Sequence, residues 1–238
     1  MEAIKEKVFE YWSQRAKDFA IQRIREFSSE KHELWLEEFE RHIPMDKKLK
    51  ILDVGTGTGF FALLLAAKGH QVTGIDLTEN MIEEAKKISR ETGLTADFYV
   101  MDAENPNLPV KSFDVIVSRN LTWTLPHLAQ AYQSWHRLLK PNGIFINFDG
   151  DYCHEKKNQP VPENHAHKSL PGELMQKYEE IKDELREGQR IRPYWDRELL
   201  QQAGFRDIET DKSVWKRIYH NFDEFYNPTP IFKIVAYA

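Results

Sequence analysis

A glycine-rich stretch, ILDVGTGTGF at residues 51–60, constrains the fold more than any other part of the chain. The apolar residues Ile51, Leu52 and Val54 lead into it, and apolar residues at helical spacing follow it at once. This order predicts a strand, a tight turn and a helix. Glycine suits such a turn because it accepts positive φ and lets backbone N–H groups approach a ligand. The stretch therefore predicts an α/β sheet that binds a ligand at this turn.

The spacing of the glycines separates two classes of cofactor. A dinucleotide-binding loop has the pattern G-x-G-x-x-G, whereas here every second residue from Gly55 to Gly59 is glycine, after an acidic Asp53. This pattern resembles the nucleoside-binding loop of the Rossmann-like, class I methyltransferases that use S-adenosylmethionine, which wraps the methionine part of the cofactor. The resemblance implies that S-adenosyl-L-methionine is bound by Asp53, Gly55, Thr56, Gly57 and Gly59.

Two further predicted strands end in acidic residues. The run QVTGID ends at Asp76, and the run ADFYVM is followed by Asp102 and Ala103. A carboxylate at a strand end suits the two hydroxyls of a ribose, and a carboxylate beside a backbone N–H suits the edge of an adenine. An acidic residue at the position of Asp76 also occurs in NAD enzymes, so only the combination with the loop favours S-adenosylmethionine. The resemblance implies that Leu77 and Met81 flank the adenine.

The resemblance continues beyond these strands as far as Gly150. Arg119 and Asn120 follow the apolar run FDVIVS and match the family positions that meet the methionine end of the cofactor and the acceptor. The later stretch HRLLKPNGIFINFDG resembles the family motif Leu-Lys-Pro-Gly-Gly with its apolar strand, and Asn142 replaces the first glycine. The family fold is a doubly wound seven-stranded sheet of order 3-2-1-4-5-7-6, with the last strand antiparallel.

The periodicity of the chain predicts the positions of the other elements. Before the first strand, residues 2–43 are expected to form two helices, with Ser28 or Ser29 as a cap between them. Further helices are predicted over 60–67, 79–92, 126–139, 174–188 and 196–203, and further strands over 113–118, 144–148, 206–210 and 231–238. These elements divide the chain into an N-terminal helical cap, 1–45, and a Rossmann-like domain, 46–238.

The N-terminal helices allow two interpretations. They are two amphipathic helices packed on the domain, or they also form a lid over the cofactor. The segment YWSQRAKDF, residues 11–19, resembles the aromatic segment that small-molecule methyltransferases carry in the helix that closes over the cofactor. That resemblance implies that Tyr11, Trp12 and Arg15 line the cofactor site.

An insertion after the fifth strand, residues 151–192, is expected to cover the acceptor pocket. It is polar, contains prolines, and carries His165 and His167. Its histidines match no compact zinc motif, so no metal site is predicted. A general base is needed only if the acceptor is protonated at the working pH. The acceptor-side candidates for catalysis are His165, His167 and Asp149.

Composition limits the partners. The net charge is −5, which gives no electrostatic footprint for nucleic acid, so a small acceptor is favoured. A single cysteine excludes an internal disulfide and agrees with a cytoplasmic location. No apolar run approaches the length of about 20 residues that a membrane span needs. A monomer or a homodimer is expected.

The predicted activity is methyl transfer from S-adenosylmethionine to a small molecule by in-line SN2 displacement. Two alternatives stay open: a protein that binds the cofactor without turnover, and an NAD-dependent oxidoreductase, which the glycine spacing disfavours. The acceptor, and whether N, O, S or C is methylated, do not follow from the sequence.

Overall fold

The computed structural model describes residues 2–156, 159–165, 170–186 and 190–238, and a seven-stranded sheet forms its centre. The strands are β1 (Lys50–Val54), β2 (Gln71–Asp76), β3 (Asp97–Val100), β4 (Phe113–Arg119), β5 (Leu139–Gly150), β6 (Arg206–Asp211) and β7 (Ile231–Tyr237). Their order is β3-β2-β1-β4-β5-β7-β6, and β7 runs antiparallel to both neighbours. The predicted doubly wound sheet and its strand order are confirmed.

Helices cover both faces of this sheet. They are α1 (Ala3–Phe27), α2 (Lys31–Glu40), α3 (Phe60–Ala67), α4 (Glu79–Thr92), α5 (Leu128–Leu138), α6 (Gly172–Arg186), α7 (Tyr194–Ala203) and α8 (Val214–Ile218). In β4, Val115 and Val117 pack in the core beneath α2, α3 and α4, while Ile116 packs beneath α5 and α7. Because both faces are buried, a strand such as β4 is apolar at successive positions and does not alternate.

Two elements differ from the sequence prediction. β5 begins at Leu139, five residues before the predicted start. Its first residues are irregularly paired with β4 and form hydrogen bonds with the last residue of the chain. There Asn142, at φ +63°, donates its backbone N–H to the Ala238 carbonyl at 3.1 Å. Helix α8 was missed, since five residues are too few to show a helical period.

A third core lies over the carboxyl edge of the sheet and joins α1 to α6. Its buried members include Tyr11, Trp123, Cys153, Ile181 and Leu185. Burial raises the pKa of the Cys153 thiol to about 12, so this cysteine is protonated at neutral pH and acts as an apolar core residue. This core places two helices above the strand ends, where ligands bind in open α/β sheets.

The turn into α3 gives a test of how tightly this edge is packed. Gly59 and Gly69 share φ +87°, but a Cβ on Gly59 would lie 3.0 Å from Phe98, whereas a Cβ on Gly69 would meet no atom within 4 Å. Both Gly→Ala variants incur left-handed strain of roughly 1–2 kcal/mol. We expect Gly59→Ala to lose about 1–3 kcal/mol more unfolding free energy than Gly69→Ala in urea denaturation, because it also overpacks Phe98. Equal losses would contradict the packing argument.

Candidate active site

The glycine-rich loop follows β1 directly and lies at the carboxyl edge of the sheet. Gly55 and Gly57 have φ of +67° and +54°, and the Thr56 N–H donates to the Ile75 carbonyl at 2.9 Å. A Cβ on Gly55 would lie 2.7 Å from Leu121, which follows β4. The loop therefore packs closely between the ends of β2 and β4, and glycine permits this approach.

Asp53, the fourth residue of β1, braces the loop from beneath. Its Oδ2 atom accepts hydrogen bonds from Thr56 Oγ1 at 2.6 Å and from the Ala62 N–H at 3.1 Å. Burial raises the pKa of this carboxyl to about 7, although these two donors favour the ionised form. Asp53 thus ties the loop to the first turn of α3.

Asp76, at the end of β2, holds the other side of the loop. Its two oxygens accept the Gly57 N–H at 3.0 Å and the Thr78 N–H at 2.9 Å. Burial raises the pKa of Asp76. Leu77 and Met81 lie beside it on the wall of the same cavity.

Asp102 follows β3 and meets a residue of α1. Its Oδ1 atom accepts the Glu104 N–H at 2.9 Å, and its Oδ2 atom accepts from Lys5 Nζ at 2.8 Å. Lys5 also forms an ion pair with the buried Glu104. These contacts fasten the start of α1 over the end of β3, next to Ala103.

At the end of β4, Arg119 is held by α1 and by aromatic rings. Its Nη2 atom lies 2.8 Å from Glu26 Oε1, and its guanidinium lies 4.3 Å from the centre of the Trp35 ring. Arg23, one turn before Glu26, forms an ion pair with the same carboxylate. Burial opposes ionisation of Glu26, but Arg119 and Arg23 more than offset it and lower its pKa.

These strand ends open on one cavity of about 480 Å³, a size that suits a cofactor with a small substrate. Most of the residues predicted to bind the cofactor line it: Asp53, Gly55, Thr56, Gly57, Asp76, Leu77, Met81, Asp102, Ala103, Arg119 and Asn120. Residues up to 67 positions apart in the chain are thereby brought to one wall, because the sheet aligns the carboxyl ends of β1, β2 and β4.

The cavity continues from these strand ends into an aromatic section under α6. The Trp123 ring lies 5.4 Å from the Tyr152 ring and 5.5 Å from the Tyr178 ring, centre to centre. Burial raises the pKa of Tyr152 and Tyr178 well above 10, so both phenols keep their protons. Glu155, on the same wall, forms an ion pair with Lys182 at 2.6 Å.

A chain of hydrogen bonds links the two sections of the cavity. Asn227 Nδ2 donates to the Tyr152 hydroxyl at 2.8 Å, and this hydroxyl donates to Asn120 Oδ1 at 2.9 Å. Asn120 has φ +53°, which is uncommon outside glycine. The Tyr152 hydroxyl is therefore fixed beside the residue that follows β4.

Four predicted site residues do not line the cavity. Tyr11 and Arg15 lie on the buried side of α1, and the Tyr11 ring contacts Tyr178 at 5.5 Å. Gly59 is the N-cap of α3 and packs against Phe98. Asp149 is fully buried behind the wall, where it accepts hydrogen bonds from the Thr122 hydroxyl and, at 3.2 Å, from the Trp123 N–H, and pairs with Arg192 at 3.4 Å.

One of the two candidate histidines lies on the cavity wall. His165 lines the cavity, and its Nε2 atom lies 2.9 Å from the Tyr226 carbonyl. Because a carbonyl only accepts, this contact assigns the ring proton to Nε2. His167 lies outside the described residues.

Sequence reasoning missed several residues of the cavity wall. On α1 the wall is formed by Lys5, Val8, Phe9, Trp12, Phe19, Gln22 and Arg23, of which only Trp12 was a candidate. Their spacing of mostly three and four residues is the signal of one helical face. From the C-terminal connection, Asn227 had no signal, since it reaches the site through packing alone.

Over the ranges that the structure covers, no three His, Cys, Asp or Glu side chains are grouped as metal ligands. Within the same ranges, no helix has the length and apolar character needed to cross a membrane.

Comparison with known proteins identifies the family. A family model described as a methyltransferase domain matches residues 52–147. The ubiquinone/menaquinone biosynthesis C-methyltransferase UbiE of Rickettsia bellii is 32% identical over 189 residues, which cover 74% of this chain and 76% of the relative.

Two solved structures share the fold. One is an S-adenosylmethionine-dependent methyltransferase from Aquifex aeolicus, with 18% identity, a TM-score of 0.57, and coverage of 84% of this chain and 88% of that one. The other is phosphoethanolamine N-methyltransferase 2 of Haemonchus contortus in complex with S-adenosyl-L-methionine. It has 20% identity and a TM-score of 0.60, and the match covers 85% of this chain and 51% of that one.

A doubly wound sheet with a glycine-rich loop and acidic strand ends defines this molecule as a Rossmann-like nucleoside-binding enzyme. The sequence similarity between this chain and the Rickettsia protein extends over most of both chains. The chain belongs to the class I S-adenosylmethionine-dependent methyltransferases, with S-adenosyl-L-methionine as cofactor. It transfers the methyl group to a small-molecule acceptor.

A substitution at Asp149 can distinguish a structural role of this carboxylate from a catalytic one. The Asp149 carboxylate accepts hydrogen bonds from donors such as the Trp123 N–H. In Asp149→Asn, the amide NH2 group would face donors of this kind, and two donors cannot form a hydrogen bond with each other. We expect a loss of about 1–3 kcal/mol in unfolding free energy, with unchanged affinity for S-adenosylhomocysteine in calorimetry. The control is Asp183→Asn on the surface of α6, which should change neither. A variant of normal stability without methyl transfer would instead support a catalytic Asp149.

Proposed function

We propose that this cavity binds S-adenosylmethionine over the strand ends and a planar, oxygen-bearing small molecule in the aromatic section. One observation carries the proposal: the glycine-rich loop, Asp76 and Asp102 meet at one end of a cavity whose other end is lined by Trp123 and Tyr152. In this proposal residues 1–45 cap the domain of residues 46–238, and residues 151–192 cover the acceptor.

The wall over the strand ends fits the cofactor. Gly55 and Gly57 offer backbone without side chains, and Asp76 offers a half-buried carboxylate that would accept hydrogen bonds from the hydroxyls of a ribose. Leu77 and Met81 supply apolar walls for the adenine, and Asp102 with the Ala103 N–H would recognise its edge. When bound, the cofactor supplies a sulfonium methyl group, which is already a strong electrophile.

The work left to the protein is mainly to position the acceptor and exclude water. Positioning of this kind can account for roughly 7–11 kcal/mol of a barrier. The buried ring of Trp123 and the half-buried ring of Tyr178 shield the acceptor end from water. The Tyr152 hydroxyl donates its proton to Asn120 and is fixed there, so its remaining lone pair is suited to accept a hydrogen bond from a hydroxyl of the acceptor.

An ammonium group of the protein already occupies the aromatic section. Lys182 pairs with both Glu155 and Glu179, so its side chain fills the place beside these carboxylates that a cationic acceptor would need. The Lys182 ammonium also lies 4.8 Å from the centre of the Tyr178 ring, where a cationic substrate would otherwise bind. The Rickettsia relative is a C-methyltransferase of ubiquinone/menaquinone biosynthesis, which supports a quinol-like ring here.

For an acceptor that must lose a proton, we propose His165 as the base. This histidine lines the cavity, and the contact of its Nε2 atom with the Tyr226 carbonyl holds the ring against the wall. Tyr152 and Tyr178 are unsuited to this role because the pKa of each phenol is raised well above 10.

We further infer a cytoplasmic location and a monomeric or homodimeric state. The single cysteine of the chain supports a reducing compartment.

Asp76 is the sharpest test of the cofactor position. Asp76→Ala removes the proposed acceptor of the ribose hydroxyls, and we expect affinity for S-adenosylhomocysteine to fall by about 10-fold or more in calorimetric titration. Asp97→Ala, which removes an exposed carboxylate at the start of β3, is the control and should bind normally. NADH should bind neither protein. Undiminished affinity in Asp76→Ala would remove Asp76 from the site.

The acceptor class is tested with defined probes. We expect labelled methyl from S-adenosylmethionine to enter menadiol or catechol, but not ethanolamine, as followed by mass spectrometry. Tyr152→Phe should lower this transfer by about 10-fold, since one hydrogen bond to the acceptor is lost, while Tyr99→Phe on the exposed edge strand should not. Transfer to ethanolamine alone would refute the planar acceptor.

A further inference from the structure

A chain of hydrogen bonds begins in the connection before β7 and reaches the cavity wall. Residues 227–230 read Asn-Pro-Thr-Pro, and proline has no backbone N–H, so Thr229 carries the only main-chain donor of residues 228–230. This N–H donates to Asn227 Oδ1 at 3.0 Å. A residue that precedes proline favours an extended backbone, which limits the freedom of both Asn227 and Thr229. The local sequence therefore fixes the start of the chain.

Two further contacts hold this segment in place. On one side, Trp215 Nε1 of α8 donates to the Asn227 carbonyl at 2.7 Å. On the other side, the hydroxyl of the buried Thr229 donates to Glu155, which forms an ion pair with Lys182 of α6 at 2.6 Å. Asn227 is thereby anchored to α8 and, through Thr229, to the insertion.

The direction of the chain follows from its first donor. A backbone N–H can only donate, so the side-chain oxygen of Asn227 faces Thr229 and its Nδ2 atom faces the Tyr152 hydroxyl, at 2.8 Å. Because this hydroxyl accepts from Asn227, its single proton is left for Asn120 Oδ1, at 2.9 Å. Asn120 therefore turns its side-chain oxygen to Tyr152 and its Nδ2 atom away from it.

Asn120 is the end of the chain and lies on the cavity wall. Its backbone is fixed, since its own N–H donates to the Phe148 carbonyl at 2.8 Å. Among the residues that the structure describes, its Nδ2 atom has no hydrogen-bond partner, and it keeps surface that a ligand in the cavity can reach. The chain thus presents two amide N–H donors to a ligand, at the point where the two sections of the cavity meet.

We infer that Asn227 is a positioning residue for methyl transfer, which acts through Tyr152 to direct the N–H donors of Asn120 toward an oxygen of the acceptor. The inference rests on the proposed place of the acceptor in the aromatic section. A hydroxyl group of the acceptor can donate to the lone pair of Tyr152 and accept from Asn120. These two contacts orient the acceptor relative to the methyl group of the cofactor, which is the main task left to the protein.

The variant Asn227→Asp reverses the chain with little change of shape. Its carboxylate still accepts the Thr229 N–H but cannot donate to Tyr152, so the Tyr152 proton turns toward it. Asn120 then faces Tyr152 with its NH2 group and the cavity with its oxygen. For the probe that is methylated, menadiol or catechol, we expect kcat/KM to fall by about 10-fold, as for one lost hydrogen bond. KM for S-adenosylmethionine and affinity for S-adenosylhomocysteine should stay unchanged.

A double variant separates positioning from a structural role. Tyr152→Phe removes the link between Asn227 and Asn120, so Asn227→Asp should cause no further loss in that background. We expect the double variant to lie about 10-fold below the unaltered protein, whereas independent effects would place it about 100-fold below. The control is Asn221→Asp, an exposed residue of the same connection that donates to Glu30 at 2.7 Å, and it should change no rate or affinity.

The possible outcomes separate the inference from the proposed function. Losses that multiply in the double variant, or a weaker affinity of Asn227→Asp for S-adenosylhomocysteine, would show a structural role and overturn the inference. An unchanged kcat/KM in Asn227→Asp would also overturn it, while the proposed function would stand. If the unaltered protein methylates neither menadiol nor catechol, the proposed acceptor class is overturned and the inference falls with it.

Discussion

The structure depends on the buried carboxylate of Asp53. It holds the Thr56 hydroxyl and the Ala62 N–H, and so fixes the glycine-rich loop against the first turn of α3. Asp76 accepts the Gly57 N–H from the other side, so the loop is held by two strand ends at once. An ionisable group buried this deeply is destabilising in its charged form unless donors compensate. Here the compensating donors belong to the loop and to the first turn of α3, so the shape of the loop and the burial of Asp53 depend on each other.

Helix α1 turns this edge of the sheet into an enclosed site. It is fastened by ionic contacts near both ends, Lys5 to Asp102 and Glu26 to Arg119, with apolar packing between them. In the proposed complex, Asp102 also faces the adenine, so Lys5 and the cofactor would share one carboxylate. In that complex the N-terminal helix would contribute to the binding site through its charges as well as by its position.

Much of the fold was predictable because its signals are local. Apolar runs, glycine positions and acidic strand ends lie within short windows. The sheet order followed from them and from the family resemblance, and most of the residues that they single out line the cavity. The phase of α1 was not predictable in this way. Both the face that lines the cavity and the face that packs on α6 carry aromatic side chains, so the sequence did not decide between Tyr11 and Trp12 as a residue of the site. The burial of Asp149 was not predictable for a similar reason: its ion-pair partner Arg192 lies 43 residues away in the chain, at the end of the insertion.

The sequence by itself determined the strand–loop–helix unit around Gly55, the class of cofactor and the parallel core, because each rests on spacing within a few residues. Only the tertiary structure decided which side chains meet across the cavity. Arg23 and Arg119 belong to a helix and a strand that are distant in the chain, and they share Glu26 because α1 packs across the end of β4. No spacing rule encodes such a contact, since it depends on the angle and rotation at which a whole helix packs on a sheet.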